Sequence, residues 1–137
     1  VLHTGKLVLI TPKDQSPKEG IFKLSTIKDE PFIKIKNLKT NQAQNNLDEV
    51  LAREGIRVNW IAETETIQVA KAMVEKGSGY SIIDDFSAKI YGESISIREI
   101  EPSIGYEICM ISNKEKPLSV NAKSFISYLE GVASDSN

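Results

Sequence analysis

The chain has 137 residues, 40% of them apolar and 26% charged, which is the size and composition of one folded domain with a single modest core. A formal charge of −2 lacks the basic footprint of a nucleic-acid-binding domain, so this stretch by itself is not expected to hold DNA. The lone Cys109 excludes an internal disulfide, and no apolar run reaches the roughly 20 residues that cross a bilayer.

The first apolar run, Lys6 to Thr11, reads as a strand closed by Pro12. Asp14 to Glu19 is polar and charged, hence a loop. Ser25 or Thr26 is suited to cap one helical turn through Glu30, where Pro31 stops it. From Phe32 to Lys36 apolar and basic residues alternate, a half-buried strand with Ile33 and Ile35 on one face. The amide-rich stretch Asn37 to Asn46 is a loop running into a helix, in which Leu47, Val50 and Leu51 share a face and Gly55 is the stop. Ile56 to Ala62 is the next strand.

The segment Thr66 to Ile83 is the most informative. Ile67, Ala70, Met73 and Val74 fall on one helical face, Gly77 supplies a left-handed stop, and Gly79 admits a close entry into a buried strand, Tyr80 to Ile83. Asp84 or Asp85 is placed to cap a short helix through Lys89 that ends near Gly92. Strands follow at Ile95 to Ile97 and Tyr106 to Ile111, the second holding Cys109 as a reduced, buried thiol. Ser119 opens a last helix with Ala122, Phe125, Ile126 and Leu129 as its buried stripe. Strands and helices alternate, which is a mixed α/β sheet flanked by helices.

Four of these segments, in order and at matching spacing, resemble LysR-type transcriptional regulators. Lys6-Leu7-Val8-Leu9-Ile10-Thr11-Pro12 is similar to the family strand P-L-V-L-V-x-P. Leu24 to Ile33 resembles V-S-L-x-D-L-x-D-E-P-F-I. The helix, glycine turn and strand of Thr66 to Ile83 resemble the family helix-turn-strand, which reads A-L-V-x-x-G-x-G-I-x-x-L-P, with Asp84 in place of the proline. Leu118 to Leu129 resembles P-L-S-P-A-A-R-A-F-L-D-F-L, with Val120 in place of the second proline.

The resemblance implies an α/β effector domain of the type 2 periplasmic-binding-protein fold, two subdomains with a small-molecule cleft between them. It assigns residues 1–137 to the second subdomain and the returning C-terminal part of the first. The DNA-binding domain and the first half of the effector domain would then lie outside this sequence. A cytoplasmic location, a small-molecule effector and a homo-oligomer (dimer or tetramer) in the intact protein are further implications. So is contact with DNA only through the absent N-terminal domain. Helix Asn46 to Glu54 and its neighbouring strand are the expected pairing surface. A solute-binding protein of a transport system is the rival reading on the same fold.

Ligands of such sheets bind beyond the carboxyl ends of strands, where loops enter helices. The candidates are Thr40, Asn41 and Gln42 after the strand that ends at Lys36, and Thr64, Glu65 and Thr66 before the signature helix. Thr64 or Thr66 serves equally well as a helix cap, and the sequence leaves that open. Glu63 and Glu65 already put negative charge at that helix start. The expected effector is therefore neutral or cationic, or meets Lys34, Lys36 or Lys39 with its anionic groups. No cofactor, metal or catalytic residue is expected. His3 is the only histidine, and Gly77-Ser78-Gly79 joins helix to strand, the wrong order for a nucleophile elbow or a phosphate loop.

Overall fold

The computed structural model describes residues 1–13, 20–36, 41–90 and 94–136. The expected 14–19 loop, Lys39, Thr40 and the Gly92 stop lie outside the described residues. In chain order the elements are β1 (His3–Pro12), β2 (Phe22–Lys23), a 3₁₀ turn (Leu24–Thr26), β3 (Pro31–Ile35), α1 (Gln42–Arg53), β4 (Asn59–Thr64) and α2 (Ile67–Glu75). Then follow β5 (Ser81–Asp84), α3 (Asp85–Ile90), β6 (Ile95–Glu101), β7 (Gly105–Ile108) and α4 (Val120–Ser136). The chain divides into two compact units, Lys6–Tyr106 on one hand and Val1–Gly5 with Glu107–Asn137 on the other.

In the larger unit β1 is central. It pairs antiparallel with β5 through Leu9↔Ile82 and with β6 through Leu9↔Arg98, while β2 lies parallel on β6. β3 and β4 pair in parallel, and an isolated parallel bridge, Phe32↔Tyr80, links β3 to β5. Successive side chains of a strand face opposite sides, and here both sides are covered. Leu7, Leu9, Phe32 and Ile82 pack with Leu47, Val50 and Leu51 of α1. Val8, Ile10, Ile33 and Ile83 pack with Ala70 and Val74 of α2 and Ala88 of α3. That two-sided burial is why Leu7 to Ile10 is an uninterrupted apolar run.

Both long helices of this unit end in the same way. After α1, Gly55 takes φ +67°, its N–H bonds Ala52 C=O at 3.2 Å and the Ile56 N–H bonds Leu51 C=O at 2.9 Å. After α2, Gly77 takes φ +80°, its N–H bonds Val74 C=O at 2.9 Å and the Ser78 N–H bonds Met73 C=O at 3.0 Å. These paired bonds are the Schellman arrangement, which a left-handed glycine makes inexpensive. Gly79 is small for a different reason. A Cβ there would meet Pro31 O at 2.7 Å, on the backbone that accepts the Tyr80 N–H at 2.8 Å.

Several boundaries differ from the sequence reading. The turn after Gly55 occupies the residues up to Val58, so β4 starts at Asn59 and includes Glu63 and Thr64 rather than ending at Ala62. The early helical turn is a 3₁₀ turn at Leu24–Thr26, where the Thr26 hydroxyl donates back to Lys23 C=O at 2.6 Å, so Thr26 does not cap a turn through Glu30. Helix α1 begins at Gln42, inside the stretch assigned to loop.

In the smaller unit Ser119 caps α4 as expected, its Oγ accepting the Ala122 N–H at 3.1 Å. Ala122, Ile126 and Leu129 are half-buried, but Phe125 is 60% exposed and leaves the stripe, with Tyr128 and Val132 exposed beside it. β7 ends at Ile108, so Cys109 falls outside the ladder and is exposed, not buried. Among the described residues no helix is long and apolar enough to cross a membrane.

Candidate functional site

Parallel β3 and β4 finish together, the Lys36 N–H donating to Thr64 C=O at 2.7 Å beyond the last residue of β3. Each strand is followed by a helix, so the N-termini of α1 and α2 lie at one carboxyl edge of the sheet. Asn41 caps α1, its Oδ1 accepting the Gln44 N–H at 3.3 Å. Thr66 caps α2, its Oγ1 accepting the Val69 N–H at 3.3 Å. The amides of Gln42 and Ala43, and of Ile67 and Gln68, precede any acceptor in their own helices and carry the positive end of each dipole.

The other predicted residues that the structure describes, Gln42, Thr64 and Glu65, lie at the same edge with internal duties. Thr64 is buried, and its hydroxyl donates to Thr66 C=O at 3.0 Å, which shapes the turn. Glu65 is exposed and pairs with Lys36 at 3.2 Å. Gln42 Nε2 donates to Asn46 Oδ1 at 2.9 Å along the helix. The capping reading therefore holds for Thr66, whose hydroxyl proton is not consumed by that role. Lys34 lies over the Trp60 ring at 5.6 Å and 3.9 Å from Asp48, so its charge is already engaged on the α1 side.

A feature absent from the sequence reading lies between β3 and β5. The bridge uses Tyr80 N–H to Pro31 C=O and Ile33 N–H to Tyr80 C=O, both 2.8 Å. A continued parallel ladder would next bring Ile82 N–H to Ile33 C=O and Ile35 N–H to Ile82 C=O. Side chains take both carbonyls instead. Ser81 Oγ donates to Ile33 C=O at 2.9 Å, and Gln44 Nε2 donates to Ile82 C=O at 3.1 Å, both bonds buried. The strands thus part toward their carboxyl ends without leaving these acceptors unsatisfied. Chain direction also reverses here, since β3–α1–β4 runs one way and β4–α2–β5 returns past β3. A splayed switch point is where sheets of this type receive ligands.

At the opposite end of α1 a shallow depression of about 480 Å³ is lined by Ser25, Ile27, Lys28, Asp29, Glu54, Gly55, Ile56 and Arg57. It lies at the negative end of the helix dipole, away from the strand carboxyl ends, and holds none of the predicted residues. Among the described residues two ionisable groups are shifted elsewhere in the unit. Burial lowers the Lys71 ammonium, partly offset by Glu75. Burial, then the bond to Asp85, raises the Tyr106 hydroxyl well above its ordinary range. Among the described residues no cluster of three or more His, Cys, Asp or Glu is placed to hold a metal.

Comparison with known proteins fits this arrangement. The sequence model of the LysR substrate binding domain matches residues 1–134. The chain belongs to that family. Among solved structures this LysR-type domain is similar to the Synechocystis PCC6803 CcmR regulatory domain in complex with 2-PG. That match has 19% identity and TM-score 0.74, over 96% of this chain and 64% of that one. It is also similar to the effector binding domain of QuiR in complex with shikimate, at 18% identity and TM-score 0.72 over 98% of this chain and 64% of that one. Full-length CbnR complexed with its target DNA matches at 18% identity and TM-score 0.70, over 96% of this chain and 47% of that one. The LysR-type chain thus spans less than two thirds of the length of these proteins. No curated protein matches it by sequence.

Proposed function

We propose that this chain is the small-molecule-sensing part of a LysR-type transcriptional regulator. Lys6–Tyr106 would be its second effector subdomain, and Val1–Gly5 with Glu107–Asn137 the returning part of the first. The observation that carries the reading is the family match over residues 1–134, joined to a switch-point edge where two helix N-termini and the predicted polar side chains converge. The similar CcmR and QuiR domains hold small molecules and CbnR holds DNA, which favours a regulator over a transport receptor or an enzyme.

In this reading Asn41, Gln42 and Thr66 bind the effector, with Thr64 holding the turn and Thr40 contributing from the preceding loop. Glu65 competes for Lys36 with any anionic group of the ligand. Because that ion pair is exposed, it is weak enough to exchange. Ligand binding shifts the protein between two arrangements by its unequal affinity for them. A DNA-binding domain beyond this sequence reads out the shift, in a cytoplasmic homo-oligomer.

The test is a thermal-shift screen of the chain and of its longer parent against neutral, cationic and dicarboxylate metabolites, repeated with Asn41→Ala and Thr66→Val. A ligand that raises the melting temperature of the wild type and loses its effect in both variants supports the site. Stabilisation undiminished in both variants would place the ligand elsewhere.

A further inference from the structure

In a parallel pair, every second residue of a strand directs both its N–H and its C=O to the neighbour. Tyr80 does so toward β3, donating to Pro31 C=O and accepting the Ile33 N–H. By alternation Ile82 also faces β3. On β3, Ile35 faces β5 as Ile33 does, and the Lys36 N–H turns the other way, to Thr64 of β4. The Phe32↔Tyr80 bridge is nevertheless isolated, and among the described residues no ladder joins β3 to β5 beyond it.

What replaces the ladder serves only its acceptors. Ile33 C=O and Ile82 C=O each receive a side-chain donor, Ser81 Oγ and Gln44 Nε2. The Ile82 N–H and the Ile35 N–H, which a ladder would place on those two carbonyls, receive no side-chain acceptor among the described residues. Ile82 is 2% and Ile35 3% exposed, so bulk water does not serve them either. Buried main-chain N–H groups without an acceptor are rare in native proteins. Gln44 stands in the first turn of α1, so this fork lies just inside the edge where Asn41 caps that helix. The residue after Ile35 is Lys36, whose ammonium is held by the exposed Glu65.

We propose that the fork between β3 and β5 receives an acceptor group of the effector, a carboxylate or a carbonyl, with the Ile35 and Ile82 amides as its donors. A group that only donates, such as an ammonium, is refused, because both main-chain groups left over are donors themselves. Ser81 and Gln44 are positioning residues: by taking the two carbonyls they keep the ladder from closing over the two N–H groups. If the group is a carboxylate its bonds are charge-assisted, and Lys36, exchanged from Glu65, supplies the opposite charge. This role rests on the sensing reading and adds to it the polarity of one ligand group.

The test is a set of proton–nitrogen correlation spectra of the whole chain titrated with formate, formamide and methylammonium, the smallest carboxylate, neutral carbonyl and ammonium probes. Formate, formamide or both are expected to displace the Ile35 and Ile82 amide signals saturably, the stronger probe telling whether the group is anionic or neutral. Methylammonium is expected to leave both signals in place. In Ser81→Ala the freed Ile33 C=O takes the Ile82 N–H, so the displacement at Ile82 is expected to be lost. Saturable displacement confined to Gln42, Ala43, Ile67 and Gln68 would place the probes at the helix starts, overturning the fork while leaving the sensing reading in force. Signals at Ile35 and Ile82 that stay fixed with every probe, or that follow methylammonium as strongly as formate, would overturn it too. The wild-type titration decides between these outcomes whether or not the variant folds.

Discussion

Helix α2 in the larger unit and α4 in the smaller are each opened by a hydroxyl cap, Thr66 and Ser119, whose oxygen accepts the N–H three residues on. Each also carries apolar residues at helical spacing. In α2 the stripe is driven to zero exposure at Ala70 and Val74, because a sheet face carrying Ile33 and Ile83 lies beneath it. In α4 the corresponding residues are only half-buried, and Phe125, Tyr128 and Val132 face outward. The pattern of a helix therefore says which face seeks cover. Whether cover exists is decided by residues far away in sequence, here by β1 and β3 for α2.

That contrast is open to direct attack. The largest effect is expected from Ile10→Ala, which hollows the core under α2 and should cost about 4 kcal/mol. Urea unfolding followed by Trp60 fluorescence measures it, and a cost below about 1 kcal/mol would mean this face collapses easily. Gly79→Ala comes next, at about 3 kcal/mol, since a methyl group must displace Pro31 backbone rather than a flexible side chain. Gly77→Ala, with open space around it, should cost only the left-handed penalty of about 1 kcal/mol.

A pH series on Lys71→Met sharpens the same picture. Burial makes the ammonium costly in the folded chain, so its folded pKa lies below that of the unfolded chain. The unfolded chain then binds more protons in the window between the two values, and stability rises with pH across it, being lower below the folded value. The methionine variant should be more stable at neutral pH by about 1 kcal/mol and should lose that alkaline rise. A rise of equal size in the variant would assign the effect to another group. The smallest effect is expected at Phe125→Ser, within about 0.5 kcal/mol by urea unfolding monitored by circular dichroism. A loss of 2 kcal/mol or more would show that Phe125 is covered in solution.

The legible parts of the fold were those written in local chemistry. The Leu7 to Ile10 run, the stripe of α2 and the left-handed glycines at 55 and 77 all follow from spacing and sterics. Of the site, the Thr66 cap and the strand-to-helix edges could be read in the same way. What escaped depends on contacts across long separations. Gln44 meets Ile82 at a distance of 38 residues and Ser81 meets Ile33 at 48, so no local pattern marks them as the groups that end the β3–β5 ladder. Phe125 and Cys109 differ from the sequence reading for the complementary reason that apolar neighbours in sequence do not ensure cover: β7 stops at Ile108, just before Cys109, and Phe125 of α4 is left 60% exposed.

The sole tryptophan and the sole cysteine lie in different units. Trp60 is half-buried on β4, edge-on to Phe32 at 6.2 Å, whereas Cys109 is exposed in the stretch after β7. The native sequence is therefore already a two-colour ruler. A thiol-reactive acceptor dye can be placed on Cys109 without any substitution, and any change in its energy transfer with Trp60 on adding a small molecule would report movement between the units.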